Sequence, residues 1–279
     1  MSDAAIADAG RVPLARATDV VLRYDGHLAV DRSSLELPAG QVTAIIGPNG
    51  SGKSTLLHAL AGLHEVAAGR LEVLGTSPGK ASSQIAYVMQ HVAVPEGVPI
   101  TVREVVAMGR YPTLGWLRRP RREDRERVRA ALAALEIEDL AARHLGELSG
   151  GQRQRVYVAQ ALAQDHVAIF LDEPLTGLDM VSARAIDRII HSEHEAGHSV
   201  VLTTHDLEEA RAADQVVLMA GRVVAWGRPE EVLTPANLTS AYGLGALHGD
   251  TQGLFLDDPH AHDPGREDGI SPGAPAGSP

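Results

Sequence analysis

The chain has 279 residues, 25 basic against 36 acidic for a net charge of −11, and 44% of its residues are hydrophobic. Those values suit one large α/β domain with subdomains and argue against non-specific nucleic-acid binding. Cysteine is absent, which excludes disulfides, thiolate metal sites and cysteine nucleophiles. No apolar run approaches the ~18 residues that a membrane-spanning helix needs, and Met1 to Arg16 lacks the pattern of a secretory signal.

Residues 1–13 are alanine-rich and aperiodic and are expected to be disordered. Asp19 to Tyr24 reads as a strand turned by Asp25-Gly26, and Ser33 to Leu37 as a second strand. After Pro38-Ala39-Gly40 comes an apolar strand, Val42 to Ile46, and then Gly47-Pro48-Asn49-Gly50-Ser51-Gly52-Lys53-Ser54-Thr55 leads into a helical pattern. Strand, glycine-rich turn and helix form the context in which G-x-x-x-x-G-K-S cradles phosphate. The glycines let consecutive N–H groups face one concavity, and the helix adds the positive end of its dipole. Lys53 can reach the β- and γ-phosphates while Ser54 ligates Mg²⁺. Only Lys53 and Lys80 are lysines in this arginine-rich chain, and one of them stands where a flexible point charge suits phosphate.

Gly69 to Gly75 and Ile85 to Val88 read as further strands, the latter ending in Met89-Gln90. From about 97 to 164 the pattern turns helical. Thr101 caps a helix that runs through Val105 to Met108, Pro112 to Pro120 is a break, and helices cover Arg122 to Leu135 and Gly151 to Leu162. The basic cluster Arg118 to Arg122 is interleaved with Glu123, Asp124 and Glu126 and reads as a solvated helix start. His166 to Leu171 is an unalternating apolar run, as in a strand buried on both faces. A helix at Val181 to Glu195, strands at Ser199 to Thr203, Gln215 to Met219 and Arg222 to Ala225, and helices at Pro229 to Leu233 and Pro235 to Tyr242 complete the ordered part. The domain is expected to span 14–246, followed by a disordered acidic and histidine-containing tail at 247–279.

A phosphate loop alone fits kinases, GTPases and motors equally, so the acidic site matters. Asp172 ends the buried strand, where it can hold Mg²⁺ beside Ser54. Glu173, next along and expected to face the other way, can orient water. Leu148-Ser149-Gly150-Gly151-Gln152 opens a helix with a hydroxyl and two glycines, a second anion-binding turn without its own lysine. Such a turn makes sense closing on a nucleotide held by another subunit.

With these motifs in this order, the chain resembles the ATP-binding subunits of ABC transporters from about Thr18 to Gly245. The resemblance implies a P-loop NTPase core with an antiparallel β subdomain and an inserted all-helical subdomain. It implies ATP and Mg²⁺ as ligands, with Ser54, Gln90 and Asp172 at the metal. By the same resemblance Tyr24 stacks on adenine, Gly47 to Thr55 is the Walker A loop, and Gln90 touches Mg²⁺ and the attacking water. Ser149, Gly150, Gly151 and Gln152 would contact the γ-phosphate in trans, Glu173 would be the catalytic glutamate, Asp179 would cross the dimer, and His205 would be the switch histidine. The implied partners are a second copy or a homologous ATPase subunit, a multi-spanning permease and, indirectly, an extracellular or periplasmic substrate-binding protein. No nucleic acid is expected. The implied place is the cytoplasmic face of the membrane, as a peripheral subunit.

Met108-Gly109-Arg110-Tyr111 through Gly115-Trp116 to Pro120, and Pro174 to Asp179 with Thr176, resemble the branch that imports manganese, zinc or iron. Residues 90–120 should form much of the groove that receives a permease helix. Iron-siderophore or haem-type importers, and the soluble ABC ATPases of iron–sulfur assembly, are the alternatives. His191, His194 and His198 have helical spacing but fit an exposed polar face. Asp257 to Asp263, with His260 and His262, looks like a weak chelator.

Overall fold

The computed structural model describes residues 12–90, 99–114 and 119–243, with one short ladder between Leu247–His248 and Phe255–Leu256. Apart from residues 12–13 and that ladder, the expectations for 1–13 and 247–279 lie outside the described residues, as do those for Gly115 to Arg118. In chain order come β1 (Ala15–Tyr24), β2 (His27–Leu37), β3 (Val42–Ile46), α1 (Lys53–Leu60), β4 (Ala68–Val73), α2 (Pro78–Ala81) and β5 (Ile85–Val88). The helical part holds α3 (Val102–Met108), α4 (Tyr111–Leu114), α5 (Arg122–Ala134) and α6 (Gly150–Leu162). Then follow β6 (Ala168–Leu171), α7 (Met180–Glu195), β7 (Ser199–Thr204), α8 (Leu207–Ala212), β8 (Gln215–Met219), β9 (Val223–Gly227), α9 (Pro229–Val232) and α10 (Pro235–Tyr242).

The larger sheet runs β5-β6-β7-β3-β8-β9, parallel except for the hairpin of β8 and β9. Its strands are apolar on both faces. Ala44, Ile46, Ile169, Leu171, Val200 and Leu202 pack one way, with the helical subdomain, α7 and α8. Ile45, Phe170, Val201 and Val217 pack the other way, onto α1 and the antiparallel sheet β2-β1-β4. Thus α1 is sandwiched between two sheets, with Leu56, Leu57, Ala59 and Leu60 buried, and the phosphate loop is fixed from both sides.

Several sequence expectations shift, among them β2, which begins at His27 rather than Ser33. The first strand begins at Ala15, not Asp19; Ala15 and Ala17 point inward, and alanine carries little β signal. Asp19, at φ +49°, lies instead within a register shift of β1. The break at Pro112 to Pro120 includes a single helical turn, α4. Helix α8 follows Asp206, whose side chain accepts from the Glu208 N–H.

The helical subdomain is held locally by caps and internally by buried arginines, Arg110 and Arg155. Thr101 accepts from the Glu104 N–H while the Glu104 carboxylate accepts from the Thr101 N–H, a reciprocal cap on α3. Thr101→Ala removes one half of it, and the unfolding free energy measured in urea is expected to fall by about 1 kcal/mol. Gly109 permits the close packing of α3 on α6, because a Cβ there would lie 2.1 Å from the Gln160 carbonyl oxygen. Arg110, next along, is buried. Its guanidinium donates to Asp124 at 3.0 Å, to the Ala163 carbonyl at 2.8 Å and to Asp165 at 3.0 Å. The stretch that resembles metal-branch subunits therefore has an internal structural role too.

Candidate active site

The phosphate loop leaves the C-terminal end of β3 and enters α1 at Lys53. Gly50 and Gly52 hold φ of +75° and +95°, a region that costs a side chain about 1 kcal/mol. Gly47 is needed for space rather than for conformation, since a Cβ there would lie 2.2 Å from the Met219 carbonyl oxygen. The N-cap, Gly52, supplies no side-chain acceptor and the first turn of α1 has no acidic residue. The donors at this helix end are therefore left for an external anion. A cleft of ≈ 300 Å³ lies over them, bounded by Tyr24, Ala29, residues 49–55 and Glu173.

Lys53 is buried, and its ammonium donates to the Gly47 and Pro48 carbonyls at 2.8 and 3.2 Å. Burial lowers its pKa, opposed by the charges of Glu173 and Asp172. Beneath the loop runs a continuous polar chain. The Ser54 hydroxyl donates to Asp172 Oδ1 at 3.0 Å, and Thr203 donates to the same oxygen at 2.6 Å. The Thr203 hydroxyl in turn accepts from the Glu173 N–H at 2.8 Å. Gln90 donates to Glu173 Oε2 at 2.7 Å, and His205 Nδ1 stands 3.9 Å from that oxygen.

Strand alternation would send Glu173 to the face opposite Asp172. Glu173 sits at the left-handed φ of +45°, and it lines the cleft with Lys53 whereas Asp172 does not. Buried Asp172 is matched by two hydroxyl donors. With Ser54 and Gln90 it offers oxygen donors, the set that suits a small hard cation such as Mg²⁺.

Tyr24, more than half exposed, lies against the imidazole of His64 with ring centroids 6.3 Å apart and planes 24° from parallel. His64 is fixed by a 2.8 Å contact to the Arg23 carbonyl. The remaining expected residues form a second group. Ser149 caps α6, accepting from the Gln152 N–H while the Gln152 side chain accepts from the Ser149 N–H. Gly151 packs on the start of α7, because a Cβ there would lie 2.5 Å from Asp179 Oδ2. Asp179 accepts from the Val181 and Ser182 N–H groups. The Ser182 backbone bond is the chief cause holding the Asp179 carboxyl below its usual pKa. A Cβ on Gly150 would meet nothing. Neither Ser149 to Gln152 nor Asp179 lines the cleft of Lys53.

Sequence reasoning missed Thr203, the hub of the polar chain, and His64 behind Tyr24. The threonine's position at a strand end was a signal; the pairing of Tyr24 with His64 had none. His191, His194 and His198 do not converge. They face the Asp187 carbonyl, Asp214 and Glu193 respectively.

The sequence profile of the ABC transporter family matches residues 30–176. The manganese transport system ATP-binding protein MntB of Listeria monocytogenes is 37% identical over 225 residues, covering 80% of this chain and 94% of that one. The zinc transport system ATP-binding protein TroB of Treponema pallidum is 38% identical over 226 residues, covering 81% and 85%. Among solved structures, a dimeric post-hydrolysis state of an ATP-binding cassette with ADP and Pi superimposes with a TM-score of 0.68. It is 26% identical and covers 77% of this chain and 98% of that one.

Proposed function

The chain belongs to the ABC transporter family, and from that membership we propose that it is the ATP-hydrolysing subunit of an importer for divalent first-row metal ions. The observation that carries the hydrolytic part is the polar chain from Ser54 through Asp172, Thr203 and Glu173 to Gln90 beneath the phosphate loop. The loop amides and Lys53 hold the phosphates, and Tyr24, backed by His64, offers its exposed face to adenine. Ser54, Asp172 and Gln90 would hold Mg²⁺, which supplies charge neutralisation at the β- and γ-phosphates when bound. Glu173 takes the proton of the attacking water, and the Gln90 amide fixes the carboxylate while it does so. His205, whose Nδ1 stands 3.9 Å from Glu173 Oε2, donates to the developing phosphate charge.

Two copies face each other, and Ser149 to Gln152 of one close the cleft of the other. Open space at Gly150 and the exposed apolar Met180 and Val181 beside Asp179 support that arrangement. No helix among the described residues is long and apolar enough to cross a membrane. The relatives named as ATP-binding proteins of transport systems support a separate permease that carries the ion. The groove bounded by Met89, Met108, Gly109, Pro112 and Tyr157, with Met89 and Tyr111 exposed near it, supports the docking of a permease element. On this reading the subunit works at the cytoplasmic membrane face, served indirectly by an external substrate-binding protein. The relatives named for manganese and zinc support the cargo class.

The test is elemental analysis of cells that carry Lys53→Ala in place of the natural chain. Cellular manganese or zinc is expected to fall, with growth restored by adding that metal, while the complex still purifies with its permease. Normal first-row metal content together with loss of siderophore-bound iron uptake would replace this cargo with the siderophore class.

A further inference from the structure

Outside the nucleotide cleft, one cluster of metal-ligating side chains among the described residues remains without a role. His166, just before β6, and His198, just before β7, converge on Glu193 near the end of α7. Their ligand atoms all lie within 4.8 Å of one another. His166 Nε2 and His198 Nδ1 approach the same carboxylate oxygen, Glu193 Oε2, at 2.8 and 2.7 Å. The imidazole of His166 is almost fully buried and Glu193 largely so, while His198 keeps one third of its side-chain surface. The site thus has a fixed floor and one side open to solvent.

The donor inventory calls for a positive charge between His166 and Glu193, either a proton or a metal ion. His166 Nδ1 lies 2.9 Å from the Gln164 carbonyl oxygen, which can only accept, so Nδ1 carries the hydrogen. In the neutral ring Nε2 then presents its lone pair to Glu193, and two acceptors face each other across 2.8 Å. A positive charge between them resolves the conflict. An imidazole whose far nitrogen is tied to a backbone carbonyl is also the usual outer-shell arrangement of a metal-bound histidine. We propose that His166, Glu193 and His198 form a three-ligand site for a borderline divalent ion of the zinc class, with its fourth position open to water.

Two imidazoles and one carboxylate favour Zn²⁺ over Mg²⁺ or Ca²⁺, which prefer all-oxygen sets. Tetrahedral zinc separates its ligand atoms by about 3.3 Å, so Glu193 would draw back by about half an ångström from both imidazoles. The site is remote from the nucleotide. His166 and His198 precede the first residues of β6 and β7, whereas Asp172 with Glu173 and His205 follow the last residues of the same two strands. This inference does not depend on the cargo of the transporter.

The test is equilibrium titration of the purified full-length chain with Zn²⁺ against a chromogenic chelator, with excess Mg²⁺ present, followed by the visible spectrum of the Co²⁺ form. His260→Ala with His262→Ala serves as the background, so that the tail histidines do not contribute. One Zn²⁺ per chain and an intense tetrahedral Co²⁺ spectrum are expected. Affinity should drop at least tenfold in His198→Gln, whose side chain is partly exposed, and in His166→Gln, but stay unchanged in His191→Ala. Circular dichroism establishes that each variant is folded. Absence of stoichiometric zinc in that background, or undiminished affinity in the folded His198→Gln chain, would overturn the assignment and leave a proton as the only charge between these groups.

Discussion

Glu173→Gln is expected to lower ATP turnover by about 10²- to 10⁴-fold, the range for loss of a general base, while leaving nucleotide binding intact. The substitution is isosteric, and Gln90, which donates to Glu173 Oε2 at 2.7 Å, can donate equally well to an amide oxygen. The backbone link from the Glu173 N–H to Thr203 does not involve the side chain. Lys53, Ser54 and Asp172 keep their partners, so only the capacity to take a proton from water is lost. Turnover with Mg-ATP and equilibrium binding of nucleotide separate the two effects. Under the two-copy arrangement the variant should also accumulate as an ATP-bound dimer, visible by mass. Turnover at the wild-type rate would remove Glu173 from this role.

The second large effect concerns stability rather than chemistry. Arg110→Ala is expected to reduce unfolding free energy by about 3 kcal/mol at neutral pH, the low end for breaking a buried ion pair by removing one partner. Arg110 and Asp124 are each about 6–7% exposed at the side chain, so water cannot replace the lost guanidinium. Arg110→Lys restores charge but not the fork that reaches Asp124, Asp165 and the Ala163 carbonyl together, and should fall between the two. The pH dependence has a definite sign. The Arg121 backbone N–H first, and then Arg110, lower the Asp124 pKa in the folded chain. That carboxylate's contribution is therefore present above the ordinary aspartate pKa and is lost as pH falls through the lowered value. The gap between wild type and Arg110→Ala should narrow on acidification below about pH 4. Urea midpoints measured from neutral pH downward check this; a gap that widens in acid would contradict it.

The parts of the protein legible in its sequence are those whose signal is local. Strand, glycine turn and helix at Val42 to Leu60 are contiguous, so both the loop and its chemistry could be read directly. Thr101 announces α3 by its spacing to Glu104. The buried strand β6 reads as an unbroken apolar run because Ile169 and Leu171 pack on one face while Ala168 and Phe170 pack on the other. Its start was set two residues early, since His166 and Val167 continue the pattern without joining the strand. Helix α8 gave no period because only Leu207 and Ala210 of its six residues are buried. Groups that meet across the fold left no pattern at all. Thr203 against Asp172, Arg110 against Asp124 and Asp165, and His166 against Glu193 and His198 are made by topology, which no window along the chain can see.

The position of β3 has a consequence for biosynthesis. Val42 pairs with Val200 and Thr43 with Gln215, so the strand carrying the phosphate loop has both partners far downstream. At about 5–20 residues per second, on the order of ten seconds separate the emergence of β3 from that of β7. Through that interval its apolar residues have no native ladder and depend on chaperones or on transient contacts with β1 and β2. Closing such distant pairs is also intrinsically slow. Fragments ending before β8 lack one of the two partners of β3 and are expected to be degraded rather than to compete for ATP.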